Sequence, residues 1–262
     1  MLQEQNLSQR SVEFSQKPRI FAEFITTEQE IRSAQKMRYE VFCEEYKVEL
    51  PVNMVWNGHP IDIDDLDDHC LHLVVRSQMT GEIIGYTRVL TCDLAKRFGR
   101  YYSSHEFDIS NVIDRPGRFL EIGRTCIHPE HRNGATIAVL WAFLAKFMQE
   151  NNYQYLFGCA SVSLEDGGQT LAALTPIIQE KYMADDEFRV TPKVPFKLRK
   201  DLNEGKALFP PLLKAYTRMG ARICGEACWD PDFNVADLFV LLDVNNVANR
   251  YARHFLKDRE AA

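Results

Sequence analysis

The residues most suggestive of chemistry lie between Arg118 and Ala135. This segment begins as a strand in which two charged residues, Glu121 and Arg124, stand among apolar ones, and a polar turn over residues 132–135 follows. An apolar helix over about residues 136–148 comes next. Such a turn presents unpaired N–H groups and the positive end of a helix dipole to one point, which suits a phosphate. Glu121 and Arg124 need partners or a catalytic task, because burying an isolated charge costs several kcal/mol. Both interpretations stay open.

An acidic run precedes the first predicted hairpin. Residues 62–68 contain five aspartates in seven positions. Such a run is most often a solvated loop, and its functional interpretation is a site for a cationic substrate. A calcium loop is less favoured, because the central glycine and closing glutamate of that motif are missing. The seven histidines form no metal-ligand constellation, and we expect no metal site.

The composition is typical of a soluble globular protein. The chain has 262 residues, of which 45% are hydrophobic and 26% charged. A net charge of -6 provides no global basic field, which argues against nucleic acid as a partner. Seven cysteines without a C-x-x-C pair favour a reducing compartment. Residues 1–18 lack an apolar signal core, and no run reaches the ~20 apolar residues that span a bilayer. We therefore predict a cytoplasmic protein, with peripheral contact at the inner membrane left open.

The order of predicted elements indicates one α/β domain over residues 19–262, after a polar extension over residues 1–18. Alternating apolar residues predict strands at 19–25, 69–77, 82–92, 119–127, 155–163, 221–227 and 235–243. Helical periodicity and capping residues predict helices at 27–46, 136–148, 169–182, 211–219 and 246–257. The last helix is a C-terminal decoration of the domain. Residues 47–68, 93–117 and 183–206 are predicted to be irregular.

This order resembles the GNAT acyltransferase fold, a mixed twisted sheet flanked by helices. Within that fold, Arg38 and Phe42 resemble the Arg-x-x-x-Phe motif of acyl-homoserine lactone synthases, and that family's order continues with Asp65, Asp68, Arg88, Glu121 and Arg124. The C-terminal third is more similar to the ornithine-lipid acyltransferases, which are often labelled hemolysin-like. The segments that carry this second resemblance are Pro210–Gly220, Asp230–Asp237 and Arg250–Phe255.

The resemblance implies transfer of a 3-hydroxy fatty acyl chain from acyl carrier protein to the α-amino group of ornithine, giving lyso-ornithine lipid. The donor would be acyl-phosphopantetheine, on carrier protein or on CoA, and no cofactor would be permanently bound. Glu121 is implied as the base, acting directly or through water. Arg124 and Arg88 would orient the acceptor carboxylate, although structural pairing of either with an acid is equally compatible with the sequence. The remaining acceptor-site residues implied are Arg38, Phe42, Asp65 and Asp68.

The donor side is implied by two further groups of residues. A backbone N–H near Ile127 would polarise the thioester carbonyl, and the turn of Arg132, Asn133, Gly134 and Ala135 would hold the phosphate. The glycine spacing of this turn departs from the usual acetyl-CoA pattern, which fits a carrier protein with its single phosphate or a weakened site. The second group consists of four basic residues with no acidic residue among them. It forms either a solvated loop or a docking surface for an acidic carrier protein or anionic lipid. Its members are Lys193, Lys197, Arg199 and Lys200.

Three other functions compete with this one. The nearest is a synthase of acyl-homoserine lactones or other N-acyl amino acid signals, against which the C-terminal segments argue. The second is an acetyl-CoA-dependent N-acetyltransferase. The third is a non-catalytic, membrane-active protein, although the sequence contains neither a spanning helix nor a signal peptide that would support it.

Overall fold

The structure is a computed structural model that describes residues 20–45, 54–198 and 208–244. The predicted extension over residues 1–18, the predicted helix over residues 246–257 and the basic residues Arg199 and Lys200 lie outside the described residues. Within the described ranges, helices surround one large mixed sheet.

The large sheet contains eight strands in the order β1-β4-β5-β7-β8-β12-β10, and β11 also pairs with β12. All neighbours are antiparallel except β7 and β8, which are parallel. Two small two-stranded sheets, β2-β3 and β6-β9, accompany it. The strands are β1 Ile20–Ile25, β2 Met54–Trp56, β3 His59–Ile61, β4 Leu71–Ser77, β5 Ile83–Thr91, β6 Phe107–Asp108, β7 Phe119–Ile127, β8 Tyr155–Ser163, β9 Thr191–Pro192, β10 Arg222–Ile223, β11 Cys228–Asp230 and β12 Val235–Asp243.

The helices follow the predicted order with two additions, α2 and α3. They are α1 Glu28–Tyr39, α2 Cys92–Phe98, α3 Ser110–Ile113, α4 Ala135–Glu150, α5 Gln169–Lys181 and α6 Pro211–Met219. The first predicted helix extends to residue 46, whereas α1 ends at Tyr39 and continues as a π-helical segment, Glu40–Glu45. Thr27 caps α1 as its sequence predicts, because its side chain accepts the N–H of Glu30.

All three stretches predicted to be irregular contain regular structure; in residues 183–206 it is a 3-10 turn, Asp186–Phe188, and the short strand β9. In the predicted loop over residues 47–68, β2 and β3 form a hairpin whose turn residues, Asn57 and Gly58, have φ of 48° and 78°. Asn-Gly is a strong hairpin signal, because both residues accept positive φ. In the predicted stretch over residues 93–117, Thr91 caps the start of α2 and Gly99 ends it at φ 99°. The turn and cap residues that form these elements are visible in the sequence, but they lie in polar stretches that lack the apolar periodicity of a helix or strand.

The two faces of the sheet bury different helices. Alternation along β4 and β5 directs Val74 and Tyr86 into an apolar cluster with α1, and Val75 and Gly85 toward α4. The buried residues of α4, Thr136, Leu140, Leu144 and Met148, recur every four residues and so form one stripe. Each fully buried leucine contributes roughly 1.5–3 kcal/mol of transfer free energy. The α1 face also carries the charged residues described below.

Strands β7 and β8 pair over only three residues each, Phe119–Glu121 and Tyr155–Phe157, and then separate. At Gly158 the strands still approach closely, since a Cβ there would clash with the Ile122 carbonyl oxygen. Opposite β5, a β-bulge interrupts β7, and its residue Arg124 has φ 52°. The bulge and the separation together re-aim the side chains of β7 immediately after Glu121.

Candidate active site

Glu121 lies on β7 at the last position paired with β8. Its side chain is buried, and its carboxylate accepts the backbone N–H groups of Tyr102 and Ser103, each at 2.7 Å. The Ser103 hydroxyl donates a third hydrogen bond to it at 2.5 Å. Arg88 and Arg124, which the sequence offered as structural partners of Glu121, instead form their ion pairs with aspartates. The loop that contains Tyr102 and Ser103 therefore fixes the orientation of this carboxylate.

The surroundings of Glu121 suit a proton acceptor. Burial raises its pKa above the ordinary range, while the hydrogen bonds from Ser103 and Tyr102 oppose that shift. A cavity of about 10 Å³ adjoins the carboxylate and is lined in part by Arg88, Tyr102 and Gly123. A cavity of this size accommodates about one water molecule. Proton uptake by Glu121 can therefore be direct or pass through a single water.

Three arginines and three aspartates form a closed ring of alternating charges on the α1 face, here called the Arg–Asp ring. Each arginine bridges two aspartates. In order around the ring, the members are Arg38, Asp62, Arg124, Asp64, Arg88 and Asp67. Three separate elements, α1, β5 and β7, supply the arginines, and the segment between β3 and β4 supplies all of the aspartates.

The contacts of the ring differ in length. Arg38 is fully buried, with nitrogens 2.8 Å from Asp62 and 2.6 Å from Asp67. Arg88 lies 3.0 Å from Asp67 and contacts Asp64 more closely still. The distances from Arg124 to Asp62 and Asp64 are longer, 3.2 and 3.4 Å. Arg38 and Arg88 are therefore held tightly by the ring, and Arg124 is held loosely.

The acidic run divides between this ring and the surface. Asp62, Asp64 and Asp67 turn inward, whereas Asp68 is exposed and Asp65 is an exposed partner of Arg100 at 2.7 Å. The sequence resemblance pointed to Asp65 and Asp68 as acceptor-site residues, and that role stays a prediction. The segment is neither helix nor regular strand over most of its length, so no periodicity in the sequence distinguishes the inward aspartates from the outward ones.

Arg124 is the ring arginine that also faces aromatic side chains. Its guanidinium lies 5.7 Å from the centre of the Tyr102 ring and 5.0 Å from that of Phe233. Its side chain is 13% exposed, more than Arg38 at 0% or Arg88 at 4%. A guanidinium with loose ion pairs and flat apolar neighbours is well suited to receive a carboxylate in a bidentate contact. Phe42, the partner of Arg38 in the sequence motif, packs against the apolar cluster under α1.

The turn predicted to hold phosphate lies between β7 and α4. Gly134, with φ 86°, is the N-cap of α4, and Asn133 accepts the N–H of Ala135 at 3.0 Å. Arg132 donates to the Ile127 carbonyl oxygen at 3.1 Å and forms a bidentate pair with Glu45 at 2.5 and 2.6 Å. The turn is exposed and opens at a helix N-terminus, which is the geometry that binds anions. Phosphate binding there stays a prediction.

A second acidic group was not identified as a site from the sequence. Glu106, from the loop before β6, and Asp237, from β12, form what we call the acid pair, and with Asp230 their carboxylate oxygens lie within 4.8 Å of one another. Burial, with the neighbouring charge of Asp237, raises the pKa of Glu106 to about 8; burial also raises that of Asp237 to about 6. Asp230 and Asp237 are the first and last residues of one of the segments that carried the family resemblance. Glu106 lies in the polar stretch over residues 93–117, where no sequence pattern marks it as a site residue.

The basic group is described only in part. The side-chain ammonium of Lys193 donates a hydrogen bond to the Ser104 carbonyl oxygen at 2.6 Å. Its backbone N–H donates to the backbone carbonyl oxygen of Glu106 at 2.7 Å. Lys197 is exposed. Lys193 therefore touches the loop that holds Glu121, but the docking role of the group stays a prediction. Among the described residues, no helix is long and apolar enough to cross a membrane.

The chain was compared with family models, with curated proteins and with solved structures. Residues 37–142 match the acetyltransferase (GNAT) domain family, which confirms the fold class predicted from the order of elements. The L-ornithine N(alpha)-acyltransferase of Rhizobium meliloti (strain 1021) is 32% identical over 244 residues, which are 87% of this chain and 81% of that protein. The enzyme of the same name from Agrobacterium fabrum (strain C58 / ATCC 33970) is 33% identical over 243 residues, 87% and 82% of the two chains. The solved CoA-dependent acyl-homoserine lactone synthase BjaI is 13% identical, with 90% and 89% coverage and a TM-score of 0.48.

Proposed function

The chain belongs to the family of the L-ornithine N(alpha)-acyltransferases, and we propose that it transfers a 3-hydroxy fatty acyl chain from acyl carrier protein to the α-amino group of ornithine. The product is lyso-ornithine lipid. The observation that carries the proposal is the likeness to enzymes of that name over 87% of the chain. It is supported by the site, in which the buried carboxylate of Glu121 and the loosely held guanidinium of Arg124 both contact Tyr102, close to where β7 and β8 separate.

The acceptor amine must lose a proton before it attacks the thioester. An α-ammonium is largely protonated at neutral pH, so a carboxylate near it is the natural acceptor. Glu121 takes this role, directly or through one water in the cavity beside it. Its raised pKa makes it a better base than an exposed glutamate. Three hydrogen bonds keep it oriented during turnover.

Arg124 binds the carboxylate of the acceptor. Its long contacts with Asp62 and Asp64 leave donors for a bidentate pair, and the Tyr102 and Phe233 rings flank it. Arg88 acts with it by holding Asp64 in place. Arg38 anchors the ring to α1, and Phe42 packs against the apolar cluster beside it. Asp65 and Asp68 attract the cationic acceptor from the surface.

The acyl donor lies on the β7–α4 side. The N–H of Ile127 polarises the thioester carbonyl, and Arg132, Asn133, Gly134 and Ala135 hold the phosphate of phosphopantetheine. Lys193 and Lys197, with Arg199 and Lys200 beyond the described residues, attract the acidic carrier protein. The same group rests on anionic lipid at the cytoplasmic face of the inner membrane when product is released.

Mass spectrometry of lipids from cells that express this chain tests the function. We expect a new lyso-aminolipid whose head group is ornithine and whose acyl chain carries a 3-hydroxyl. Glu121→Gln should reduce its formation by about 10²–10⁴-fold, because the general base is lost. The amide keeps the size of the side chain, and its one oxygen can still accept from Ser103, but its NH2 group cannot accept from Tyr102. Glu165→Gln, at an exposed glutamate, is the matched control and should produce the lipid at the wild-type level.

Each other outcome points elsewhere. A soluble N-acyl amino acid or a lactone in place of the lipid would identify a signal synthase. Activity with purified enzyme only on acetyl-CoA would identify an N-acetyltransferase, and higher activity on long-chain acyl-CoA than on acyl carrier protein would reassign the donor. Normal lipid formation by Glu121→Gln would remove Glu121 from the role of base.

A further inference from the structure

The proposed reaction releases a proton that Glu121 cannot keep. An ammonium and a thioester become an amide and a thiol, so the nitrogen gives up two hydrogens while the leaving sulfur takes one. One proton per turnover must therefore reach solvent. Glu121 is only 3% exposed, and the cavity beside it holds about one water. A path from this carboxylate to solvent through protein groups is needed for the next turnover, a requirement that rests on the proposed function.

A chain of exchangeable hydrogens leads away from Glu121. The Ser103 hydroxyl is 2.5 Å from the Glu121 carboxylate, and the Cys159 thiol is 3.4 Å from the Ser103 hydroxyl. Among the charged groups around the same thiol, the neighbouring Glu106 carboxylate has the largest electrostatic influence on it, which makes Glu106 the next proton acceptor along the chain. Strand geometry explains the alignment, because Cys159 is two positions beyond Phe157, the partner of Glu121, and so projects from the same face of the sheet.

The chain ends at the acid pair. One carboxylate oxygen of Glu106 is buried without a hydrogen-bond partner and is free to accept a proton, and the neighbouring Asp230 is partly exposed, so the way from the pair to solvent leads past Asp230. Burial raises the pKa of Glu106 to about 8, with the charge of Asp237 adding to the shift, and it raises the pKa of Asp237 to about 6, with the charge of Asp230 adding. The pair therefore holds roughly one proton near neutral pH, and it can gain or lose a proton on either side of neutrality. The ionisable groups that face the pair are Asp230, Tyr102, Cys159, Cys228 and Arg124.

We propose that the Ser103 hydroxyl and the Cys159 thiol relay the proton from Glu121 to the acid pair, which delivers it to solvent. Each transfer conserves hydrogens. Protonated Glu121 gives its proton to the Ser103 oxygen, Ser103 gives its own hydrogen to the Cys159 sulfur, and Cys159 gives its hydrogen to Glu106. Glu121 is then a carboxylate again. Before the transfer, the hydroxyl rotates to point at the Cys159 sulfur and the thiol rotates to point at Glu106. The transfer then leaves both new hydrogens on the Glu121 side, which is the resting orientation that the structure shows.

Substitutions at Cys159 test the relay with purified enzyme, ornithine and a long-chain acyl donor. Cys159→Ala removes the middle hydrogen and should lower kcat about 10–100-fold, with the KM for ornithine changed less than about twofold, because the relay does not bind substrate. Cys159→Ser restores an exchangeable hydrogen and should recover kcat to within about threefold. Cys224→Ala removes a buried thiol after β10, at the sheet edge, and controls for packing loss.

Glu106→Gln gives a second measurement that does not depend on how Cys159→Ala folds. In the wild type, kcat should rise with pH as the acid pair loses its proton. The variant should lose that rise and stay low from about pH 6 to about pH 9. A wild-type kcat and pH profile in both Cys159→Ala and Glu106→Gln would overturn the relay. So would equal losses in the alanine and serine variants, which would make Cys159 a packing residue. A raised KM for ornithine with unchanged kcat in Glu106→Gln would assign that carboxylate to acceptor binding instead.

The relay and the proposed function fail in different ways. If the wild type acylates another amine and not ornithine, the acceptor assignment is wrong, and the same variants test the relay with that amine. If the wild type forms no amide from any acyl thioester, both are wrong. If it acylates ornithine and the variants behave as wild type, only the relay is wrong.

Discussion

The Arg–Asp ring and the acid pair lie on the same face of one sheet and handle buried charge in opposite ways. The ring balances three positive groups with three negative groups. The acid pair has only carboxylates at its centre, with Asp230 beside it. Burial penalises the charged form in both places, so the difference between them comes from the partners that each carboxylate has.

The direction of the pKa shifts shows this difference. Burial alone would raise the pKa of Asp67, but ion pairs with Arg38 and Arg88 outweigh it and hold that pKa well below its usual range. At Glu106, burial and the neighbouring charge of Asp237 act together and raise the pKa. The ring is therefore permanently charged and positions Arg124, whereas the acid pair changes charge near neutral pH and suits proton transfer.

The largest expected effect comes from opening the ring. Arg38→Ala leaves Asp62 and Asp67 buried with their closest cation removed, and we expect the free energy of unfolding to fall by about 3–5 kcal/mol. Arg100→Ala breaks another Arg–Asp ion pair, with Asp65 at the surface, and should cost less than about 1 kcal/mol. Urea denaturation of both variants measures the contrast. Equal losses would mean that burial of the ring adds nothing to the strength of its ion pairs.

The contrast between Asp65 and Asp67 also shows where sequence reasoning stops. Glu121 and Arg124 were predictable as charges in an apolar strand, and the strand–turn–helix after them formed as expected. The order of the main elements followed from periodicity and caps. Which aspartate of an irregular acidic run turns inward depends on arginines that are 21 to 62 residues away in sequence, as the pairs Arg88–Asp67 and Arg124–Asp62 show. No local pattern encodes those distances.

Glu106 illustrates the same limit for the site. Its neighbours Cys159 and Asp237 come from β8 and β12 and lie more than 50 residues after it in sequence. Asp237 belonged to a quoted family segment, but only the fold brings it to Glu106. Local signals were also missed where they existed: Asn57-Gly58 is a recognisable hairpin turn, and Thr91 and Gly99 bracket a short helix.

A smaller effect, on binding, is expected at the loosest member of the ring. Arg124→Lys keeps the charge but loses the planar fork that binds a carboxylate at two points. We expect the KM for ornithine to rise about 10–100-fold, the value of a charge-assisted hydrogen bond of roughly 1.5–3 kcal/mol. The same variant should lose less stability than Arg38→Ala, because its ring contacts are longer and partly exposed.

A diamine without a carboxylate provides the control for Arg124. With 1,4-diaminobutane as acceptor, wild type and Arg124→Lys should have KM values within about twofold of each other, since Arg124 then has no carboxylate to bind. Steady-state kinetics with both acceptors measure the difference. If the KM values for ornithine and for the diamine rise together, Arg124 shapes the site without contacting the acceptor carboxylate, and it belongs with Arg38 and Arg88 as a fixed part of the ring.

The smallest expected effect is the pH dependence of stability at the acid pair. The pKa of Glu106 is about 8 in the folded chain and near 4.5 for an ordinary glutamate, so between those values the folded state binds more protons than the unfolded state. Stability therefore falls as pH rises through this window, which is opposite in sign to the contribution of Asp67.

Glu106→Gln removes the titration and lets the amide donate to Asp237. The melting temperature of the variant should exceed that of wild type at pH 8, and the difference should shrink as the pH falls toward 5. Glu226→Gln, at an exposed glutamate near β11, should follow wild type at both pH values. A variant that melts below wild type at pH 8 would show that the charged Glu106 is stabilised in the folded chain, and the acid pair would then resemble the ring.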